Sequence, residues 1–210
     1  GVHRSVHRQL GLSISAEPDK TNGLTGQIYR GIRGVAALVG KGSDAVLGAL
    51  LPLLDDPATH PQASPQREAV LAALNGVMGD RLVATGNPLA QVMEWRFNGQ
   101  ALRLNAPEIL KQQLSASPSA SPSGDTSPHL LLLIHGLCMN DMQWTRAGHD
   151  HGAFLAQALG CKPVYLRYNS GRHVSQNGRE LAAQLERLVA AWPVPLARIT
   201  IVGHSMGGLV

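Results

Sequence analysis

Apolar and polar positions along this chain fall into three successive patterns. Up to about residue 88 the apolar residues recur at helical spacing. Leu24, Ile28, Ile32, Val35 and Val39 lie three or four residues apart. Gly40-Lys41-Gly42 breaks that stripe, and Ser43 is placed to cap a second short helix bearing Val46, Leu47 and Leu50. Ser64-Pro65 opens a third, because proline fits the first helical position. Val70, Leu71, Leu74, Val77 and Met78 then form one apolar face. These faces are narrow and lack a basic border. Residues 1–88 therefore read as a helical region packed on its neighbour, in preference to a membrane-surface or partner-binding arm.

The second pattern is a hairpin over residues 92–104. Asn98-Gly99 is a strong two-residue turn signal. Counting outward from it pairs Phe97 with Gln100, Trp95 with Leu102 and Met93 with Leu104. Glu94 then faces Arg103 across the other side. Residues 115–128, SASPSASPSGDTSP, bury too little surface to order themselves and read as a disordered Ser/Pro-rich linker.

The third pattern, over 129–210, alternates strands with helices. Leu130–Ile134 is a continuous apolar run, as in a strand buried on both faces. Phe154, Leu155, Ala158 and Leu159 mark a short helix closed by Gly160. Residues 163–168 form the next strand. Asn177 and Glu180 have the spacing of a capping box. Leu181, Leu185, Leu188, Val189 and Trp192 form the stripe of the helix that follows. Ile199–Val202 is a third strand, again of the buried type. Strand–helix alternation implies an α/β unit with a parallel sheet and right-handed crossovers.

Composition narrows the function classes. The 210 residues carry 18 Lys or Arg and 14 Asp or Glu, a net charge of +4 without blocks of one sign, so a nucleic-acid footprint is not expected. Two cysteines, Cys138 and Cys161, are too few for a disulfide framework or a Cys-rich metal site and read as free thiols. The longest apolar stretch, residues 35–54, is interrupted by Lys41, Asp44 and Pro52, so no transmembrane segment is expected. Peripheral membrane contact stays compatible with the pattern. His149-Asp150-His151 lacks a third ligand, and Asp150 reads as a helix cap, so no metal and no cofactor are expected.

Two motifs carry chemistry. Gly203-His204-Ser205-Met206-Gly207 fits G-x-S-x-G directly after a strand, the nucleophile-elbow pattern. A serine on so sharp a strand-to-helix turn is strained, and the residues two before and two after it nearly collide. Gly203 and Gly207 meet that need, and Gly208 is expected to let the next helix pack closely. The turn projects Ser205 from the carboxyl end of the sheet and aims the Met206 N–H at a developing oxyanion. The second motif, His135-Gly136-Leu137-Cys138-Met139-Asn140, follows Leu130–Ile134. Gly136 frees the backbone there, the Leu137 N–H is the second candidate donor, and His135 is expected to brace the loop. His204 is expected to point away from Ser205.

On LLLLIHGLCMND and ITIVGHSMGGL, covering with the elements between them about half the chain, the sequence resembles the lipase/esterase-like branch of the α/β-hydrolase fold family. The resemblance makes residues 129–210 a partial hydrolase core, from its third strand to the nucleophile elbow, with the 92–104 hairpin as its first two strands. It implies a serine hydrolase acting on a small-molecule or lipid ester through an acyl-enzyme on Ser205. Leu137 after His-Gly leans toward lipid-like esters. The family order places the triad acid and histidine after the nucleophile. With Ser205 five residues from the end, the chain reads as a fragment, inactive alone and prone to aggregate through an unpaired apolar edge. Two alternatives stay open: an acyltransferase or thioesterase on the same scaffold, or a binding protein that uses the helical region.

Overall fold

A computed structural model describes residues 65–116 and 127–210. The two helices expected before Ser64, and most of the Ser/Pro-rich stretch, lie outside these residues. Helix α1 (Pro65–Ala84) starts on the proline that suits a first helical turn and kinks at Met78. Strands β1 (Glu94–Phe97) and β2 (Gln100–Ala101) form the hairpin in the expected register, Phe97 opposite Gln100 and Arg96 opposite Ala101. Asn98 and Gly99 both take positive φ, 48° and 75°, as a two-residue turn of this hand requires. The Leu102 N–H donates to the Trp95 carbonyl at 2.8 Å, continuing the pairing past β2. Glu94 takes Arg96, on its own strand, as ion partner where Arg103 was expected. Helix α2 (Pro107–Ser115) was not expected from the sequence; it buries Leu110 and Leu114, one turn apart, and ends on the first residue assigned to the linker.

Strand β3 (His129–Ile134) is followed by a short 3-10 helix, Asp141–Trp144. A small ribbon of β4 (Thr145–Arg146) and β5 (His149–Asp150) leads into α3 (His151–Leu159). Gly160 closes α3 in the left-handed conformation. Then come β6 (Lys162–Arg167), α4 (Val174–Ala191) and β7 (Arg198–Gly203). The capping-box reading fails: α4 starts a turn earlier, on His173, because Asn177 donates to the Asn169 carbonyl and Glu180 pairs with Arg172.

The strand order is β2-β1-β6-β3-β7. The strands β6, β3 and β7 are parallel, and the hairpin joins antiparallel through β1 against β6. The protein is thus an α/β unit with a mostly parallel sheet and flanking helices. Alternation along β3 divides its core. Leu130, Leu132 and Ile134 pack with Trp95, Leu110, Leu114 and Leu188, whereas Leu131 and Leu133 pack with Ala156 of α3. All five are buried, as the apolar run of β3 predicts, each contributing about 1.5–3 kcal/mol.

Two expectations about burial are corrected. Strand β7 is an edge among the described residues and leaves Ile201 54% exposed, so it is not buried on both faces. In α3, Phe154 and Leu159 are exposed, because the helix approaches the sheet through its small residues: a side chain at Gly152 would run into the Tyr165 ring.

The chain passes from β3 to β6 on one side and then to β7 on the other. Strand order reverses at β3, where open α/β sheets form a crevice at their carboxyl ends. Ile134 pairs with Gly203, so both motifs leave the sheet side by side.

Candidate active site

Ser205 sits at the turn from β7 into a short 3-10 helix, Ser205–Gly208, with φ +53°. Few non-glycine residues occupy that region, and they do so at a cost of order 1–3 kcal/mol. Glycines make the turn sterically feasible. A Cβ on Gly203 would lie 2.8 Å from the carbonyl carbon of Gly207 and from Cα of Gly208. One on Gly207 would lie 2.5 Å from the His135 carbonyl oxygen and closer still to that of Ile134. Gly208 carries no such constraint; a Cβ there meets nothing within 4 Å, so its expected packing role is not seen among the described residues.

The 135–140 loop lies against this turn. The His204 N–H donates to the Ile134 carbonyl at 2.9 Å. A Cβ on Gly136 would stand 3.1 Å from Ser205 Cβ. Cys138 takes φ +58° and donates its N–H to Ser170 Oγ at 3.0 Å. The N–H groups of Cys138, Met139 and Gly207 are thus engaged, while those of Leu137 and Met206 find no acceptor in the loop hydrogen bonds among the described residues. Leu137 is half exposed, and Met206 packs on the edge of the main core.

His135 braces the loop from below. It is fully buried and stacks on Tyr168 at 4.4 Å. Its Nδ1 lies 2.9 Å from the Gly136 carbonyl, and its Nε2 accepts from the Tyr168 N–H at 3.3 Å. That pairing requires the neutral tautomer with the proton on Nδ1. Burial pushes its pKa down to about 4, the Gly136 hydrogen bond offsetting only part of the effect. The Tyr168 hydroxyl donates to the His135 carbonyl at 2.9 Å.

His149, His151, His173 and His204 make contacts of their own. His204 is exposed and meets Trp144 edge-on at 6.4 Å. His149 packs on His151 and Phe154. His173 caps α4. Asp150 caps α3 through the Ala153 N–H and accepts from the Tyr165 hydroxyl at 2.7 Å. Among the described residues no group of three His, Cys, Asp or Glu is placed to hold a metal ion, and no helix is long and apolar enough to cross a membrane. Both cysteines are free thiols, and burial raises the pKa of Cys138, which keeps that thiol protonated.

Sequence reasoning missed the wall behind the 135–140 loop. Helix α1 packs directly on it. A Cβ on Gly76 would lie 2.7 Å from Cys138 Cα, and one on Gly79 would lie 2.7 Å from Asn169 Cγ. Asn140 donates to the Glu68 carbonyl at 3.1 Å, and Asn169 donates to the Gly79 carbonyl at 3.0 Å. The available signal was the polar run Asn169-Ser170-Gly171 just past β6, at the same sheet edge as the two motifs. Comparison with family models, with curated proteins and with solved structures returned no match.

Proposed function

We propose that this chain carries the nucleophile and oxyanion-loop half of a serine hydrolase of the α/β-hydrolase type, acting on carboxylic esters of lipid-like character. One observation carries the reading. Ser205, strained at φ +53° after a parallel strand, lies beside Gly136 of the neighbouring strand's loop. In this reading Ser205 Oγ attacks the ester carbonyl and forms a tetrahedral oxyanion. The N–H groups of Leu137 and Met206, which find no acceptor in the loop hydrogen bonds among the described residues, receive that charge. The general base takes the Ser205 proton and delivers it to the departing oxygen, which leaves as the alcohol; an acyl-enzyme remains, and water hydrolyses it to release the acid. The general base and its carboxylate partner are assigned to positions after Ser205 because the order that the resemblance implies puts them there.

The test is fluorophosphonate labelling of the native protein. Parent protein labels, and Ser205→Ala does not. Labelling that persists in Ser205→Ala removes Ser205 as nucleophile, and a parent that never labels removes the hydrolase reading.

A further inference from the structure

We infer that Glu68, Arg167 and Asp141 are positioning residues that clamp the oxyanion loop onto helix α1, making this helix a working part of the site. The inference rests on the hydrolase reading of that loop. Arg167, at the carboxyl end of β6, forms ion pairs with Glu68 of α1 and with Asp141 of the short helix that ends the loop. One guanidinium therefore joins α1 to the loop. The other Asp141 oxygen lies 3.1 Å from Arg96 Nε of β1, an ion pair without hydrogen-bond geometry, so guanidinium groups of two strands face the same carboxylate. The side chains of Glu68, Asp141 and Arg167 are only 6%, 5% and 11% exposed. In such surroundings a lone charge is costly, and the set holds its geometry only when complete.

The clamp acts close to the proposed donor. Asp141 lies four residues beyond Leu137, and Asn140 between them donates to the Glu68 carbonyl. At Gly76, α1 leaves no room behind Cys138, the residue next to Leu137. Charge pulls the loop toward α1, and the Gly76 backbone stops its approach. Gly136, next to Leu137, stands against Ser205, so the clamp fixes how this stretch of the loop meets the nucleophile. Such geometry matters because a displacement of about 1 Å costs on the order of a hundredfold in rate.

Cys138 reports on the clamp without any catalysis. With Cys161 and any other cysteine of the native protein replaced by serine, Cys138 is the probe, and its reaction with a disulfide reagent reads loop opening. Three variants are compared well below their melting temperatures. Glu68→Gln removes the α1 charge but keeps the shape. Gly76→Ala pushes the loop from the other side. Leu110→Ala destabilises the core from α2, which contributes no residue to the clamp or to the 135–140 loop. The clamp requires that the first two raise Cys138 reactivity about tenfold or more. They also lower kcat for a nitrophenyl ester about tenfold or more, short of the roughly hundredfold or greater loss that follows removal of an oxyanion donor, with KM nearly unchanged. Leu110→Ala at equal loss of melting temperature does neither. Unchanged Cys138 protection in Glu68→Gln, or effects in all three variants that simply track melting temperature, would overturn the proposal. If the parent fails to label with fluorophosphonate, the hydrolase reading fails by itself, and Cys138 protection still decides whether the clamp exists.

Discussion

Substituting Gly207 and its neighbour Gly208 by alanine separates a built turn from a merely glycine-rich one. A Cβ on Gly207 would stand 2.5 Å from the His135 carbonyl oxygen, with the Ile134 carbonyl closer still. Both are backbone atoms of β3 and its loop, so no rotamer change relieves the clash. Bringing the His135 contact out to 3.0 Å, the practical lower limit for a real Cβ, moves backbone by at least about 0.5 Å. Overpacking of this kind costs roughly 1–3 kcal/mol. At Gly208 a Cβ meets nothing within 4 Å and φ is not positive. Gly208→Ala should be neutral or stabilising by about 0.5 kcal/mol, through a less flexible unfolded chain. Urea unfolding followed by tryptophan fluorescence measures both, and fluorophosphonate labelling measures the site. Gly207→Ala should lose stability and label at least tenfold more slowly, and Gly208→Ala should keep both. Equal unfolding free energies for the two variants would refute the steric argument for the elbow.

Ser205→Gly should raise stability by about 1 kcal/mol while abolishing labelling, because glycine occupies φ +53° without the clash that serine bears. Ser205→Ala keeps that strain and should leave the unfolding midpoint unchanged; equal gains in the two variants would disprove strain as the cause. His135 predicts a pH dependence. Its folded-state pKa, about 4, lies below the ordinary 6.5, so the unfolded chain takes up the proton first. Stability is full above pH 6.5 and falls as pH drops toward 4, by about 3 kcal/mol. His135→Gln should flatten that slope, and parallel slopes for parent and variant would show that another group titrates.

Local chemistry was legible in the sequence wherever one short segment fixes the geometry. Asn98-Gly99 sets the hairpin register because both residues tolerate positive φ. The apolar run of β3 announces a strand covered on both faces. The G-x-S-x-G spacing announces the close approach of Gly203 and Gly207. Helix α2 was within reach too, since Pro107, Leu110 and Leu114 have helical spacing. What escaped depends on partners far along the chain. The α1 stripe reads as narrow, yet residues 71–75 are all buried because loops after β3 and β6 close around the helix. Gly76 and Gly79 carry no signal of their own in the sequence, and their purpose is visible only beside Cys138 and Asn169. Asn177 and Glu180 match a capping box by spacing, but Asn169 and Arg172 compete for them.

The buried pair between Glu68 and Arg167 also orders events during synthesis. The two residues are 99 positions apart. At roughly 5–20 residues per second, Glu68 leaves the ribosome about 5–20 s before its partner. Through that interval the apolar positions Leu71, Leu74 and Met78 have no loops to pack against, and the carboxylate has no guanidinium. Among the described elements helix α1 is made first, and its ion pair cannot form until Arg167 of β6 is present. A chaperone that shields nascent apolar segments would find a client site in this helix throughout that interval, and slowing translation after Arg167 has left the ribosome should not prolong that exposure, whereas slowing it earlier should.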